Sequence, residues 1–133
     1  MQIGRRELIL AGAAAISLVR FETTSAQKRQ EMYGLIGKMT TVPGQRDALI
    51  QILLEGVGGM PGCLSYIVAK DPADENALWI TEVWDSKASH EASLALPAVK
   101  SAIARGKPMI AGFGEHFITT PVGGHGLQAA KSR

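Results

Sequence analysis

The three histidines of this 133-residue chain, His90, His116 and His125, are the side chains best suited by type to move protons or bind a metal. Histidine exchanges protons near neutral pH, so His90 and His116 are candidate acid–base residues. The three show neither i,i+4 nor His-x-His spacing, which argues against a dedicated metal site. A surface or packing role explains each of them equally well. Their position in the fold must therefore decide whether they are catalytic.

Other motifs that carry chemistry are missing from the sequence. It has no phosphate-binding loop, dinucleotide fingerprint or nucleophile elbow. The single cysteine, Cys63, excludes an internal disulfide and is expected to be a small buried residue. The formal net charge is +2 and no basic run outside the N-terminus exceeds two residues, so we expect no nucleic acid binding.

A predicted hairpin organises the chain. Residues Cys63–Ala69 and Leu78–Trp84 are rich in β-branched and aromatic side chains, and the polar segment Lys70–Asn76 between them has the chemistry of a turn. The residue after the second strand, Asp85 or Ser86, is suited to cap a following helix.

Apolar periodicity and glycine punctuation divide the rest of the domain into strands and helices. The order β-α-β-β-α-β predicts an α+β fold, the ferredoxin-like sandwich with both helices on one face of a mainly antiparallel sheet. The predicted elements are a strand at Tyr33–Thr41, a helix at Gln45–Val57, the hairpin, a helix at 86–96, a further turn or helix at Ala98–Arg105 and a strand at Gly112–Val122.

Side-chain periodicity also assigns faces to these elements. Helical spacing gives Ala48 and Leu49 a common apolar face, and strict alternation in the last strand places Phe113 and His116 on opposite faces of the sheet.

The hairpin's second strand is substantially apolar on both sides. A sheet covered by helices on one face only should show water to the other, so we expect a second copy of the chain to cover it as a homodimer. One side of the strand carries Trp79, Thr81 and Val83, and the other carries Leu78, Ile80, Glu82 and Trp84.

The N-terminus resembles an export signal. Arg5 and Arg6 precede an apolar run of 12 residues, Leu8 to Val19, which is too short to span a membrane comfortably. The paired arginines are similar to a twin-arginine signal, and the small residues Thr24–Ala26 predict cleavage before Gln27. A general secretory signal, an uncleaved anchor and an ordinary N-terminal helix are the alternatives. We therefore predict a signal at 1–26, a leader at 27–31, a domain at 32–122, a flexible tail at 123–133, a periplasmic location and no stable membrane insertion after processing.

The domain resembles the antibiotic biosynthesis monooxygenase family, which includes quinol monooxygenases. The resemblance covers roughly Met32–Thr120 and lies in the element order and in the segments Pro61–Cys63, Glu82–Ser86 with His90, and Pro97–Val99. It implies a dimeric α+β barrel with a small pocket between each sheet and its own helices. It also implies oxidation of a phenolic or quinol substrate by molecular oxygen with no cofactor, neither metal nor flavin.

The resemblance assigns roles to individual residues. Trp84 matches the family's strand-end tryptophan and would line the pocket with its indole N–H as a donor. His90 would accept the substrate's proton, and Tyr66 on the neighbouring strand would hold a substrate oxygen, although aromatic residues of this kind are also common in cores. Many relatives place a histidine nine residues after that tryptophan, where this chain has Ser93, and His116 is a candidate replacement.

Two other functions are alternatives to this one. In haem-degrading relatives, the resemblance implies an Asn on the first strand, a Trp on the third and a haem-ligating His on the second helix. This chain has no Asn within Tyr33–Thr41 and has Ser93 and Leu94 where the ligand would fall, which argues against haem degradation. A non-catalytic small-molecule binding or stress-response module on the same barrel is the alternative from another class, because this fold hosts many functions. The leading prediction is an exported, homodimeric, cofactor-independent monooxygenase.

Overall fold

The structure is a computed structural model that describes residues 30–127, so the predicted signal, most of the leader and the end of the tail lie outside it. No helix within this range is long and apolar enough to cross a membrane. The elements are β1 (Tyr33–Thr41), α1 (Arg46–Gly56), β2 (Cys63–Lys70), β3 (Ala77–Trp84), α2 (Lys87–Ser93), α3 (Pro97–Gly106), a 3₁₀ turn (Lys107–Met109) and β4 (Ile110–Thr119).

The four strands form one antiparallel sheet in the order β2-β3-β1-β4. This is the strand order of a ferredoxin-like sandwich, so the predicted α+β fold class is confirmed. The hairpin is also confirmed. Its loop closes through two local turns in which Asp71 accepts from the amide of Ala73 and Asp74 accepts from the amide of Asn76.

The core lies between one face of the sheet and the helices. Leu49 of α1 packs with Leu78 and Ile80 of β3, and all three are buried. Ala48 is exposed, so its predicted place on the buried face is wrong. It lies about 100° around the helix from the buried Leu49, so it falls to one side of the face that Leu49 buries.

The helix predicted at 86–96 is shorter in the structure, and the further turn or helix predicted at Ala98–Arg105 is a helix, α3. Ser86 caps α2, since its hydroxyl accepts from the amide of Ser89 at 3.1 Å. The helix ends at Ser93, and Pro97 begins α3 at the first helical position, where a missing N–H costs nothing. Gly62 lets α2 approach the hairpin: its φ is +81°, and a Cβ there would lie 2.5 Å from the Ser89 hydroxyl.

A bulge in β4 overturns the predicted faces of that strand. His116 and Phe113 pair with β1 residues that are two apart, and the two β4 residues between them lie opposite Lys38 alone. The extra residue shifts the alternation by one, so Phe113 and His116 share the face on which the helices lie. Gly114 suits the bulge, because a Cβ on it would lie 3.1 Å from the Lys38 side chain.

The opposite face of the sheet carries no helix. Ile36 pairs with Thr81 and Phe117, and Ile67 pairs with Thr81, so these side chains share this helix-free face. Ile67 is 56% exposed and Phe117 is 52% exposed. The apolar character predicted for both sides of β3 is therefore present, with one side packed and the other open.

Candidate functional site

A cavity of about 770 Å³ lies between the helix-covered face of the sheet and the helices. Most of its wall is aliphatic, from α1, α3 and the start of β4. Polar side chains converge in one region of this wall, where the ends of β3 and α2 meet. They are Tyr66, Glu82, Trp84, His90 and Ser93.

Glu82 and Trp84 are joined at this polar region. Both point from β3 to the helix-covered face, because they are two residues apart on one strand. The indole Nε1 of Trp84 donates to Oε2 of Glu82 at 2.8 Å, and Trp84 is 1% exposed. The indole N–H predicted to face the substrate is therefore satisfied by Glu82, and Trp84 acts on the site by orienting that carboxylate.

His90 lies against the same carboxylate. Its Nε2 is 3.8 Å from Oε2 of Glu82, close enough for an ion pair when the imidazole is protonated. The centroid of the His90 imidazole lies 5.5 Å from that of the Tyr33 ring and 5.4 Å from that of the Trp84 ring. Ser86 caps the start of this short helix, and His90 lies in its last turn beside Trp84, the last residue of β3. The predicted pair of His90 and Trp84 is thus brought together, with Glu82 as a third member.

Tyr66 faces the same region from β2, where it pairs with Glu82 across the hairpin. Burial is the main cause that raises the pKa of its phenol above the ordinary value of 10.0, and the nearby negative charge of Glu82 adds to the effect. The Tyr66 hydroxyl therefore stays protonated and is available as a hydrogen-bond donor. Burial and Glu82 also raise the pKa of the Cys63 thiol, which makes it a poor nucleophile.

His116 lies beside a second cavity of about 420 Å³ on the same face of the sheet. This cavity shares Glu82, His90 and Phe113 with the larger one, so the two adjoin at the Glu82–His90 pair. His116 is exposed and does not line the larger cavity. The bulge in β4 is what brings it to this face at all.

Ser93 stands nine residues after Trp84, where the family resemblance predicts a histidine. Its side chain is buried, lines the larger cavity and donates to the backbone carbonyl of His90 at 2.6 Å. It offers neither a metal ligand nor a base in the manner of histidine. Over residues 30–127 there is also no group of three or more His, Cys, Asp or Glu side chains that could hold a metal ion.

Glu82 is the site residue that sequence reasoning did not select. The alternation of β3 placed it correctly on the side of Leu78, Ile80 and Trp84, and a single carboxylate in an otherwise apolar row is the feature that could have singled it out. A carboxylate is seldom turned toward the core without a partner. The partners here, Trp84 and His90, become visible only in the tertiary structure.

Comparison with known proteins identifies the family of this domain. The sequence model of antibiotic biosynthesis monooxygenases matches residues 32–105. A solved structure from Chloroflexus aurantiacus, assigned to that family, is 67% identical with a TM-score of 0.72, and the match covers 73% of this chain and 99% of that one. No curated protein matches.

More distant solved structures share the fold. A protein from Caulobacter crescentus, also assigned as an antibiotic biosynthesis monooxygenase, is 20% identical with a TM-score of 0.65, covering 71% of this chain and 93% of that one. One from Nitrosomonas europaea with the same assignment is 11% identical with a TM-score of 0.64, covering 70% and 92%. These two show a common architecture.

Proposed function

This chain belongs to the antibiotic biosynthesis monooxygenase family, and we propose that it oxidises a phenolic or quinol-type small molecule with molecular oxygen and no bound cofactor. The observation that carries the proposal is the His90 imidazole, held 3.8 Å from the Glu82 carboxylate in the wall of a largely aliphatic cavity. A base with its own counter-charge, placed in an apolar pocket, suits removal of a phenolic proton.

Proton removal begins the proposed reaction. The His90 imidazole takes the proton of the substrate hydroxyl, and the Glu82 carboxylate stabilises the resulting imidazolium. The protonated Tyr66 hydroxyl donates to the phenolate oxygen and holds the ring in place. The aliphatic wall excludes water from the reactive anion.

The substrate ring supplies the electrons in the steps that follow. The phenolate passes one electron to oxygen, and the radical pair combines into a peroxide on a ring carbon. The imidazolium returns its proton to the peroxide. Loss of the hydrogen on that carbon then breaks the O–O bond, leaving a new ring carbonyl and one water. One oxygen atom enters the product, the other leaves as water, and the ring loses four electrons in total, so no external reductant is needed.

Oxygen uptake tests the proposal. The purified protein, treated with a chelator and free of flavin, is assayed against a panel of hydroquinones and polyphenols. We expect saturable uptake with water as the reduced product, and His90→Gln should lower kcat by about 100-fold or more. His125→Gln, a change at a histidine that lines neither cavity, is the matched control. Saturable binding without any uptake by the folded protein would replace catalysis with the alternative of a small-molecule binding module.

We also propose that the protein is a homodimer built through the helix-free face. The support is the pair of half-exposed apolar side chains Ile67 and Phe117, which lie on the two outer strands β2 and β4 of this face, together with the family's dimeric barrel. A second copy offers the same apolar face, and a two-fold axis would bury both at once.

Export to the periplasm is proposed from the sequence alone, since residues 1–26 lie outside the described range. Replacing Arg5 and Arg6 with lysine tests the route. Loss of the periplasmic protein is expected for a twin-arginine signal, whereas undiminished export would point to a general secretory signal.

A further inference from the structure

We infer that the substrate carries an extended apolar substituent on its phenolic ring, and that this substituent lies along the aliphatic part of the large cavity toward α3 and β4. The reacting end of the substrate rests on the proposed function. The apolar end rests on the length, lining and mouth of the cavity.

The cavity is longer than a single aromatic ring. Along β1, Leu35 pairs with Glu82 and Met39 pairs with Leu78, so Met39 lies four strand positions beyond the level of Glu82. At ~3.3 Å per residue this separation is about 13 Å. Both Glu82 and Met39 line the same cavity, whose volume of about 770 Å³ lies in the upper part of the ~300–1,000 Å³ range typical of drug-sized ligands.

The lining changes character along this length. The polar side chains lie at the Glu82–His90 end, whereas Leu53 of α1 and Val99 of α3 are typical of the remainder. Beyond Glu82 and His90, the one charged side chain among the described lining residues is Lys107, which is exposed. A substrate that consisted only of a ring bound at Glu82 would leave this aliphatic part of the wall exposed to water. An apolar substituent on the ring would cover it.

The mouth of the cavity is apolar as well. Leu94, Ile103 and Phe113 all line the cavity and all remain about half exposed or more, with Phe113 at 73%. These three come from the end of α2, from α3 and from the start of β4. An apolar substituent that reaches the mouth would contact all three, which gives their exposure a function.

Binding of a homologous series tests the inference. Calorimetry is carried out without oxygen on the purified protein with 4-n-alkylphenols from methyl to heptyl. Each added methylene should tighten Kd by up to about fourfold until the cavity is filled, the gain expected for burying one CH₂ group. A Kd that does not change along the series would overturn the inference.

A matched pair of variants on α1 locates the substituent. Leu53 lines the cavity, and the adjacent Leu54 is exposed and does not. Leu53→Trp should fill the aliphatic part and abolish the gain from long chains while 4-methylphenol still binds, and Leu54→Trp should leave the whole series unchanged. Because Leu53 also packs against the core cluster, Val99→Phe on α3 repeats the test at a residue outside that cluster. Chain-length dependence that survives in both folded cavity variants would contradict the assignment.

Two readouts separate this inference from the proposed function. If alkylphenols bind more tightly with chain length but no hydroquinone causes oxygen uptake, the apolar substituent is supported and the oxygenase function is refuted. If short hydroquinones cause oxygen uptake but the affinity for alkylphenols does not depend on chain length, the oxygenase function is supported and the apolar substituent is refuted.

Discussion

The indole Nε1 of Trp84 donates a hydrogen bond to Oε2 of Glu82 at 2.8 Å, and that same oxygen faces Nε2 of His90 at 3.8 Å. One carboxylate oxygen therefore connects the two residues that sequence reasoning singled out as catalytic. Because Trp84 is fixed in the core, it sets the direction of the Glu82 carboxylate, and the carboxylate in turn provides the negative charge beside His90.

The charge of Glu82 should matter more than its shape. Glu82→Gln keeps an oxygen that can accept from Trp84 but removes the negative charge beside His90. We expect kcat to fall about tenfold or more while KM and the melting temperature stay near those of the wild type, because an opposite charge this close stabilises the imidazolium. Steady-state oxygen uptake and thermal denaturation measure the two effects.

Glu115→Gln is the control for this change, since Glu115 lies on exposed β4 and lines neither cavity. Undiminished turnover in Glu82→Gln would show that His90 works without the carboxylate.

Tyr66 should give the protein a loss of stability at alkaline pH. The pKa of its phenol is raised in the folded state, mainly by burial. Its contribution to stability is therefore complete below the ordinary value of 10.0 and is lost as the pH rises above that value, where the unfolded chain ionises first. Urea denaturation between about pH 8 and pH 11 should show a falling free energy of unfolding.

Tyr66→Phe should remove that part of the alkaline loss. Because Tyr66 is proposed to hold the substrate oxygen, the same variant should raise KM about two- to tenfold, the range for one hydrogen bond to the substrate while it is still protonated and neutral. Tyr33→Phe is a suitable comparison, because Tyr33 lines only the smaller of the two cavities described here. An alkaline loss that is identical in the wild type and Tyr66→Phe would contradict the assigned cause.

The proposed dimer predicts the effect of a charge placed on the helix-free face. Phe117→Asp should weaken self-association by about tenfold or more, because it removes a large apolar contact of the interface and puts a charge in its place. Light scattering coupled to size-exclusion chromatography over a concentration series measures the change.

Ile118→Asp provides the comparison on the same strand, since Ile118 is adjacent, is 64% exposed and points to the other face. A monomeric wild-type protein, or equal weakening by the two substitutions, would argue against a dimer through the helix-free face.

The hairpin shows how much of the fold could be predicted from the sequence. Alternating side chains placed Leu78, Ile80, Glu82 and Trp84 on one side of β3, and the structure confirms that side as the packed one. Such periods of two are local properties of an extended chain, so they need no knowledge of the partner strand. The capping hydroxyl of Ser86 and the turn residues of the hairpin are local in the same sense.

Local pattern failed where a contact between distant segments was decisive. The bulge opposite Lys38 inserts one residue in β4, which carries His116 to the face of Glu82 against the simple alternation. Likewise α2 ends at Ser93, three residues before the predicted end at 96, where the chain turns toward α3.

The order of the elements, the faces of β3 and the family follow from the sequence, because they rest on periodicity, turn chemistry and a short motif. The place of Glu82 in the site is visible only in the folded domain, since its partners come from the next helix and from its own strand end. The length of the cavity is visible only there as well, because it depends on how α1 and α3 pack over the sheet. A site is a set of distances between segments, and those distances are fixed when the whole domain packs.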